Sequence, residues 1–134
     1  WPTRVIDFGL ALRRQTIETS MAARSAGDTI LSDSVAGTLK YAPPEQMGEL
    51  RGVKPGPYSD VYAFGKTCCY VLFRTTEPKD RHWKTVPEDL RPALKELLDQ
   101  CREEELEHRY ADFEPVLEVL KSLDPAERKT KPRR

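Results

Sequence analysis

Hydrophobic positions recur at helical spacing through the second half of the chain and thin out in the first. From about residue 60 to 74, Val61, Phe64, Cys68, Val71 and Leu72 share a face, with Tyr62, Cys69 and Tyr70 on other faces. A helix that is apolar nearly all the way round is one buried in the middle of a fold. Ser59 or Asp60 can cap it, and Gly65 in its interior costs helix propensity, which points to close backbone approach there. Glu88 to Cys101 is amphipathic, with Leu90, Leu94, Leu97, Leu98 and Cys101 on one stripe and Pro87 just before it. Asp112 caps a last helix to about Leu123, with Val116, Leu117 and Leu120 inward and Pro115 tolerated in the first turn.

The polar positions set the connections. Arg4 to Ile6 reads as one short strand. Residues 12–36 are rich in Arg, Ser and Thr and read as a long loop, the kind that in a compact domain is functional or mobile. Pro43 and Pro44 fix an extended entry, and Pro44 suits the first position of a short helix through about Met47. Residues 48–57 are broken by Gly52, Pro55, Gly56 and Pro57. Residues 75–87 form a loop holding Trp83, in which Arg81 to Lys84 could make a single turn. Glu103 to Tyr110 is a charged connection. Residues 124–134 carry Arg128, Lys129, Lys131, Arg133 and Arg134 and read as a solvated, disordered basic tail. No internal repeat is present.

Composition narrows the function classes. The chain has 134 residues, one domain's worth at most, and begins at Trp1 rather than Met, as a fragment or processed product would. Lys plus Arg and Asp plus Glu are 22 each, so no overall basic field argues for nucleic acid. The longest mainly apolar run, Val61 to Phe73, is too short to span a bilayer and is interrupted by Lys66, and no signal peptide precedes it. Cys68, Cys69 and Cys101 show no metal-ligand spacing and read as reduced core thiols of a cytoplasmic protein.

Candidate chemistry begins at Val5-Ile6-Asp7-Phe8-Gly9-Leu10-Ala11. An apolar pair runs into an acid, an aromatic and a glycine, as at the end of a buried strand with a carboxylate at its mouth. Asp7 is a hard oxygen ligand of the type that holds Mg²⁺ against phosphate. Three further stretches follow in order. They are Gly37-Thr38-Leu39-Lys40-Tyr41-Ala42-Pro43-Pro44-Glu45, then Tyr58-Ser59-Asp60-Val61-Tyr62-Ala63-Phe64-Gly65, then Arg109 between the two amphipathic helices.

Together these resemble the C-terminal lobe of a protein kinase. Asp7-Phe8-Gly9 matches the Mg²⁺-binding Asp-Phe-Gly motif. Pro43-Pro44-Glu45 stands where the family usually has Ala-Pro-Glu, and Tyr58 to Gly65 is similar to the start of the central hydrophobic helix. Thr38 beside Gly37 resembles the residue that Ser/Thr kinases aim at the catalytic centre. The whole looks more like bacterial Ser/Thr kinases of eukaryotic type than like animal kinases.

The resemblance implies a mainly α fold, a kinase-like helical C-terminal lobe over residues 1–123, with a short N-terminal strand, a long activation loop and no N-terminal lobe. It implies Asp7 as catalytic residue and Mg²⁺ ligand, and Asp7, Phe8 and Gly9 at the cofactor. It implies a buried ion pair between Glu45 and Arg109. It also implies a structural carboxylate at Asp60, accepting N–H groups of the catalytic loop. ATP and Mg²⁺ would be the cofactors of the complete kinase, with a protein as substrate. Asp7 and Glu45 lie 38 residues apart, a long activation segment, and Thr16, Thr19, Ser20, Ser25, Thr29, Ser32 and Ser34 are candidate phosphorylation sites within it. Position favours Ser32 or Ser34.

Other parts of a kinase are missing from the 134 residues. There is no Gly-x-Gly-x-x-Gly loop, no strand Lys, no His-Arg-Asp loop, and no Asn anywhere to supply the second Mg²⁺ ligand. Glu107-His108-Arg109-Tyr110 is only superficially similar to the catalytic loop, and His82 and His108 read as structural. The segment between Phe73 and Glu88 is also short for the helix that kinases use in docking substrates. The expectation is therefore a piece of an ATP- and Mg²⁺-dependent Ser/Thr kinase that does not transfer phosphate by itself. The alternative is a non-catalytic, pseudokinase-like helical interaction module.

Overall fold

The chain divides into two units, Trp1–Leu31 and Ser32–Arg134. The computed structural model describes Pro2 and Arg4 of the first, both exposed, and residues 40–128 of the second. Arg4 is not in a strand, and the rest of the expected strand, Asp7-Phe8-Gly9, the stretch with Ser32 and Ser34, Gly37-Thr38 and the end of the basic tail lie outside the described residues.

The described part of the second unit is helical and contains no strand. Pro44 opens a single-turn helix, α1 (Pro44–Met47), which Gly48 ends at φ 79. That left-handed angle is one glycine adopts without penalty. The long helix α2 (Pro57–Phe73) starts three residues before the position expected from Ser59 and Asp60. Pro57 sets the start: its φ is already helical, and its missing N–H is one that the first turn leaves unused. Gly56 is the cap residue, and the Ser59 hydroxyl, one turn in, accepts the Gly56 N–H at 3.1 Å. Arg74 terminates α2 in the left-handed region at φ 59.

A single turn, α3 (Asp80–Trp83), occupies part of the expected loop. Its Trp83 is 3% exposed and anchors the segment. The helix α4 (Arg91–Cys101) begins three residues later than Glu88. Pro92 has no N–H to give the Glu88 carbonyl, so residues 88–90 remain a turn held by Leu90 N–H on Pro87 O at 3.1 Å. Asp112 caps α5 (Phe113–Leu123) by accepting the Glu114 N–H at 2.9 Å, as its sequence predicts. One further turn, α6 (Pro125–Arg128), follows inside the stretch read as tail. Asp124 starts it by accepting the Ala126 N–H at 2.8 Å.

Two hydrophobic clusters meet along α4. Val61, Leu97, Cys101 and Val116 form one, with Phe64, Tyr110 and Val119 packed against it. Cys69, Trp83, Val86 and Leu98 form the other, with Cys68, Phe73, Leu90 and Leu94 alongside. Adjacent leucines of one helix thus feed both clusters, and the helix pair α2–α4 is the backbone of the unit. At Gly65 the two helices nearly touch: a Cβ there would lie 2.8 Å from Cys101 Cβ and Arg102 Cγ.

Two burial expectations fail. α2 is not enclosed all round: Tyr70, Val71 and Leu72 are 36%, 67% and 48% exposed, because α4 and α5 cover one side of it. On α5 only Val116 is fully inward, while Leu117 and Leu120 are 50% and 36% exposed. The helix meets the core through Val116 and Val119, and the side that carries Leu117 and Leu120 is left partly open.

Candidate functional site

Arg109 and Glu45 form a fully buried ion pair, each side chain with no exposed surface. Arg109 Nη1 donates to Glu45 Oε1 at 2.7 Å and Nη2 to Oε2 at 3.3 Å. The remaining donors go to main-chain carbonyls. Nε donates to Glu103 O at 2.7 Å, Nη1 also to Tyr58 O at 3.2 Å, and Nη2 also to Glu104 O at 3.2 Å. A guanidinium carries five N–H donors in a fixed fork, and here all five are used. Its flat face lies against the Tyr62 ring, 4.9 Å from the centroid. Burial, and then the Glu104 carboxylate, pushes the Tyr62 phenol above its ordinary pKa.

The local structure explains the meeting. Pro43 and Pro44 hold α1 in place so that Glu45, in its first turn, points inward. The charged connection after α4 folds tightly, with the Arg109 N–H on Glu105 O at 3.2 Å, and turns Arg109 back beneath it. Tyr58 and Ser59 arrive from the first turn of α2. Three stretches distant in sequence therefore close on one charge pair.

Ser59 is a member of this node that sequence reasoning missed. It is 2% exposed, and its hydroxyl donates to Glu45 Oε1 at 2.7 Å while accepting the Gly56 N–H. A hydroxyl at the third helical position is the available signal, since that position normally reaches back to the cap residue. Asp60, one residue on, is exposed on the first turn of α2, not seated in a core. The catalytic-loop N–H groups expected to hold it belong to a stretch that the 134 residues do not contain.

A second polar network was also missed. Lys66 is 8% exposed and pairs with Glu77, and Arg102 donates to Glu77 Oε2 at 3.1 Å and to Asp99 Oδ1 at 2.7 Å. Arg102 also bonds Thr76 O at 3.1 Å and Leu98 O at 3.2 Å. The network ties the segment after α2 to the end of α4. Burial first, then the Arg102 charge, lowers the Lys66 pKa from 10.5. In sequence Lys66 looked like an interruption of an apolar run. Its ring neighbour Tyr62, 5.2 Å from Nζ, and its carboxylate partner make the burial tolerable.

The remaining candidates are structural. His82 Nδ1 accepts the Lys79 N–H at 2.8 Å, and His108 pairs with Glu105 at 3.1 Å on the surface. Burial pushes the Cys68 thiol up to about 11 and the Cys101 thiol up to about 12, and raises Cys69. Such thiols are poor nucleophiles and poor metal ligands at neutral pH. Among the described residues no group of three or more His, Cys, Asp or Glu could hold a metal ion. No helix among them is long and apolar enough to cross a membrane.

A buried carboxylate–arginine node joins the Pro-Pro-Glu turn to the turn before the last long helix, with α2 rising from it, in a mainly helical unit consistent with a kinase-like C-terminal lobe. The chain is homologous to bacterial serine/threonine protein kinases. It is 32% identical over 123 residues to serine/threonine-protein kinase B of Synechocystis, covering 87% of this chain and 20% of that protein. It is 28% identical over 123 residues to serine/threonine-protein kinase F of the same organism, covering 87% of this chain and 23% of that protein. The chain thus spans about a fifth of the length of these curated relatives. No protein-family model and no solved structure matches it.

Proposed function

We propose that the chain is the activation-segment and helical part of an ATP- and Mg²⁺-dependent kinase that phosphorylates Ser or Thr of a protein substrate, in the cytoplasm. The observation that carries this reading is the buried Glu45–Arg109 pair. It joins the Pro-Pro-Glu turn to the helical base with every guanidinium donor engaged. In this reading the node fixes where the activation segment ends, and so where the stretch around Thr38 is presented to substrate. Asp7 would hold the metal, which when bound neutralises charge on the transferring phosphoryl group. Phe8 and Gly9 shape that corner, and Ser32 or Ser34 is the phosphorylation site that would order the segment. Positioning is most of phosphoryl-transfer catalysis, so the 134 residues on their own, without a Gly-rich loop or catalytic loop, turn over no ATP.

The test is complementation in one polypeptide. The 134 residues are joined to the upstream half of the kinase domain of a relative, and phosphate transfer from ATP to a protein Ser/Thr substrate is followed. Transfer that is lost on Asp7→Asn supports the proposal. No transfer, or transfer indifferent to Asp7→Asn, overturns it.

One observation favours a second reading, a non-catalytic interaction module. Phe113, Leu117 and Leu120 leave an exposed apolar stripe along α5. A chimera without phosphotransfer, combined with a protein partner that is released by Leu117→Glu, would select that reading.

A further inference from the structure

The two bonds of Ser59 call for a hydroxyl. Its oxygen accepts the Gly56 N–H at 3.1 Å, which completes the first turn of α2. Its hydrogen goes to Glu45 Oε1 at 2.7 Å, the oxygen that Arg109 Nη1 also holds at 2.7 Å. A hydroxyl has one donor and two acceptor sites, so it can do both at once. A carboxylate, the usual residue for reaching back to a cap N–H, has no proton to give and would set a second negative charge against Glu45. Alanine or valine would do neither. The site is 2% exposed, so water cannot readily replace the lost partner.

We propose that Ser59 is a positioning residue. Through its donated hydrogen bond it fixes the Glu45 carboxylate, and with it the Pro44–Met47 turn, relative to the start of the central helix. This rests on the kinase reading for its consequence, the presentation of the substrate-facing segment, but not for its geometry. Arg109 holds the carboxylate unevenly, with Oε1 at 2.7 Å and Oε2 at 3.3 Å. The Ser59 hydroxyl is a third point of attachment, and it comes from a different element. A residue that served only to cap α2 would work through Gly56, and its effect would appear in α2. One that positions Glu45 must show its effect in α1.

Amide hydrogen exchange of the 134-residue chain separates these. The Met47 N–H on Pro43 O at 3.2 Å and the Glu49 N–H on Pro44 O at 3.0 Å report α1. The amides of Leu97 to Cys101 report the core. Ser59→Val should speed exchange at Met47 to Glu49 by about tenfold or more, the scale of one lost charge-assisted hydrogen bond. The core amides should change much less. Ser59→Thr, which keeps the hydroxyl on the same branched shape as Val, should restore protection. Ser59→Asp, able to cap Gly56 but not to donate to Glu45, should expose α1 at least as much as Val does. Unchanged α1 exchange in Ser59→Val, a uniform rise across all helices, failure of Thr to rescue, or an Asp variant better protected than Val would each overturn the proposal. No phosphotransfer is measured, so this experiment can fail while the kinase reading stands, and the reverse.

Discussion

Arg109 Nη1 and Glu45 Oε1 meet at 2.7 Å across 64 residues of chain, with no solvent on either side chain. The pair is worth most when viewed through its loss. Removing one partner strands the other charge in the interior, at a cost of about 3–5 kcal/mol. Arg109→Ala should therefore lower the urea midpoint far more than Arg91→Ala. Arg91 loses only bonds to the Val86 carbonyl, worth about 1 kcal/mol. Arg109→Lys should recover little, because an ammonium cannot span Glu45 and three carbonyls at once.

Gly65→Ala should destabilise the fold although alanine is the better helix former. The propensity gain is about 1 kcal/mol. Against it stands a new Cβ 2.8 Å from Cys101 Cβ and Arg102 Cγ, in a core where overpacking typically costs about 1–3 kcal/mol. The Arg102 side chain is itself held by Asp99, Glu77 and two carbonyls, so it cannot swing aside freely. Thermal melting of the single variant decides the sign.

The helix α5 offers a paired test of burial. Val116 is 1% exposed, so Val116→Ala should cost roughly 1–3 kcal/mol. Leu117, 50% exposed, is the larger side chain, yet Leu117→Ala should change stability by only about 0.5 kcal/mol. Equal losses in chemical unfolding would mean that the stripe is covered after all.

The thiols predict an alkaline limit. Folding raises Cys68 from 9.0 to about 11 and Cys101 from 9.0 to about 12, since burial penalises the thiolate. The folded state therefore holds its protons more tightly than the unfolded chain. This contribution is complete below about pH 9 and is lost progressively as pH rises toward 11–12. Stability measured by urea titration should fall over that window, and Cys101→Ser should shrink the fall. At neutral pH a thiol-specific alkylating reagent should modify the native chain far more slowly than the urea-unfolded one.

Local rules in the sequence were enough for the helix that Asp112 caps, the helix that opens at Pro44, and the close approach at Gly65. Each depends on a residue whose effect is short-ranged. The starts of α2 and α4 were displaced because prolines at positions 57 and 92 overrule the capping residues beside them. The Glu45–Arg109 pair was legible only through motif order, since nothing in either neighbourhood says that two such charges meet. Ser59, Lys66 and Arg102 escaped for the same reason. Their distant carboxylate partners, Glu45 and Glu77, lie 11 to 25 residues away, and an isolated Ser, Lys or Arg on a helix carries no sign of being buried. Leu117 and Leu120 were misplaced because a helical stripe records hydrophobicity, not what is present to cover it.

A saturated arginine is deaf to new anions. Every N–H of Arg109 is spoken for by Glu45 and three carbonyls, and its face is taken by Tyr62. A phosphate arriving on Ser32 or Ser34 would find no open donor there. Were Ser32 or Ser34 phosphorylated, as proposed, the phosphate would have to pair with a cation other than Arg109.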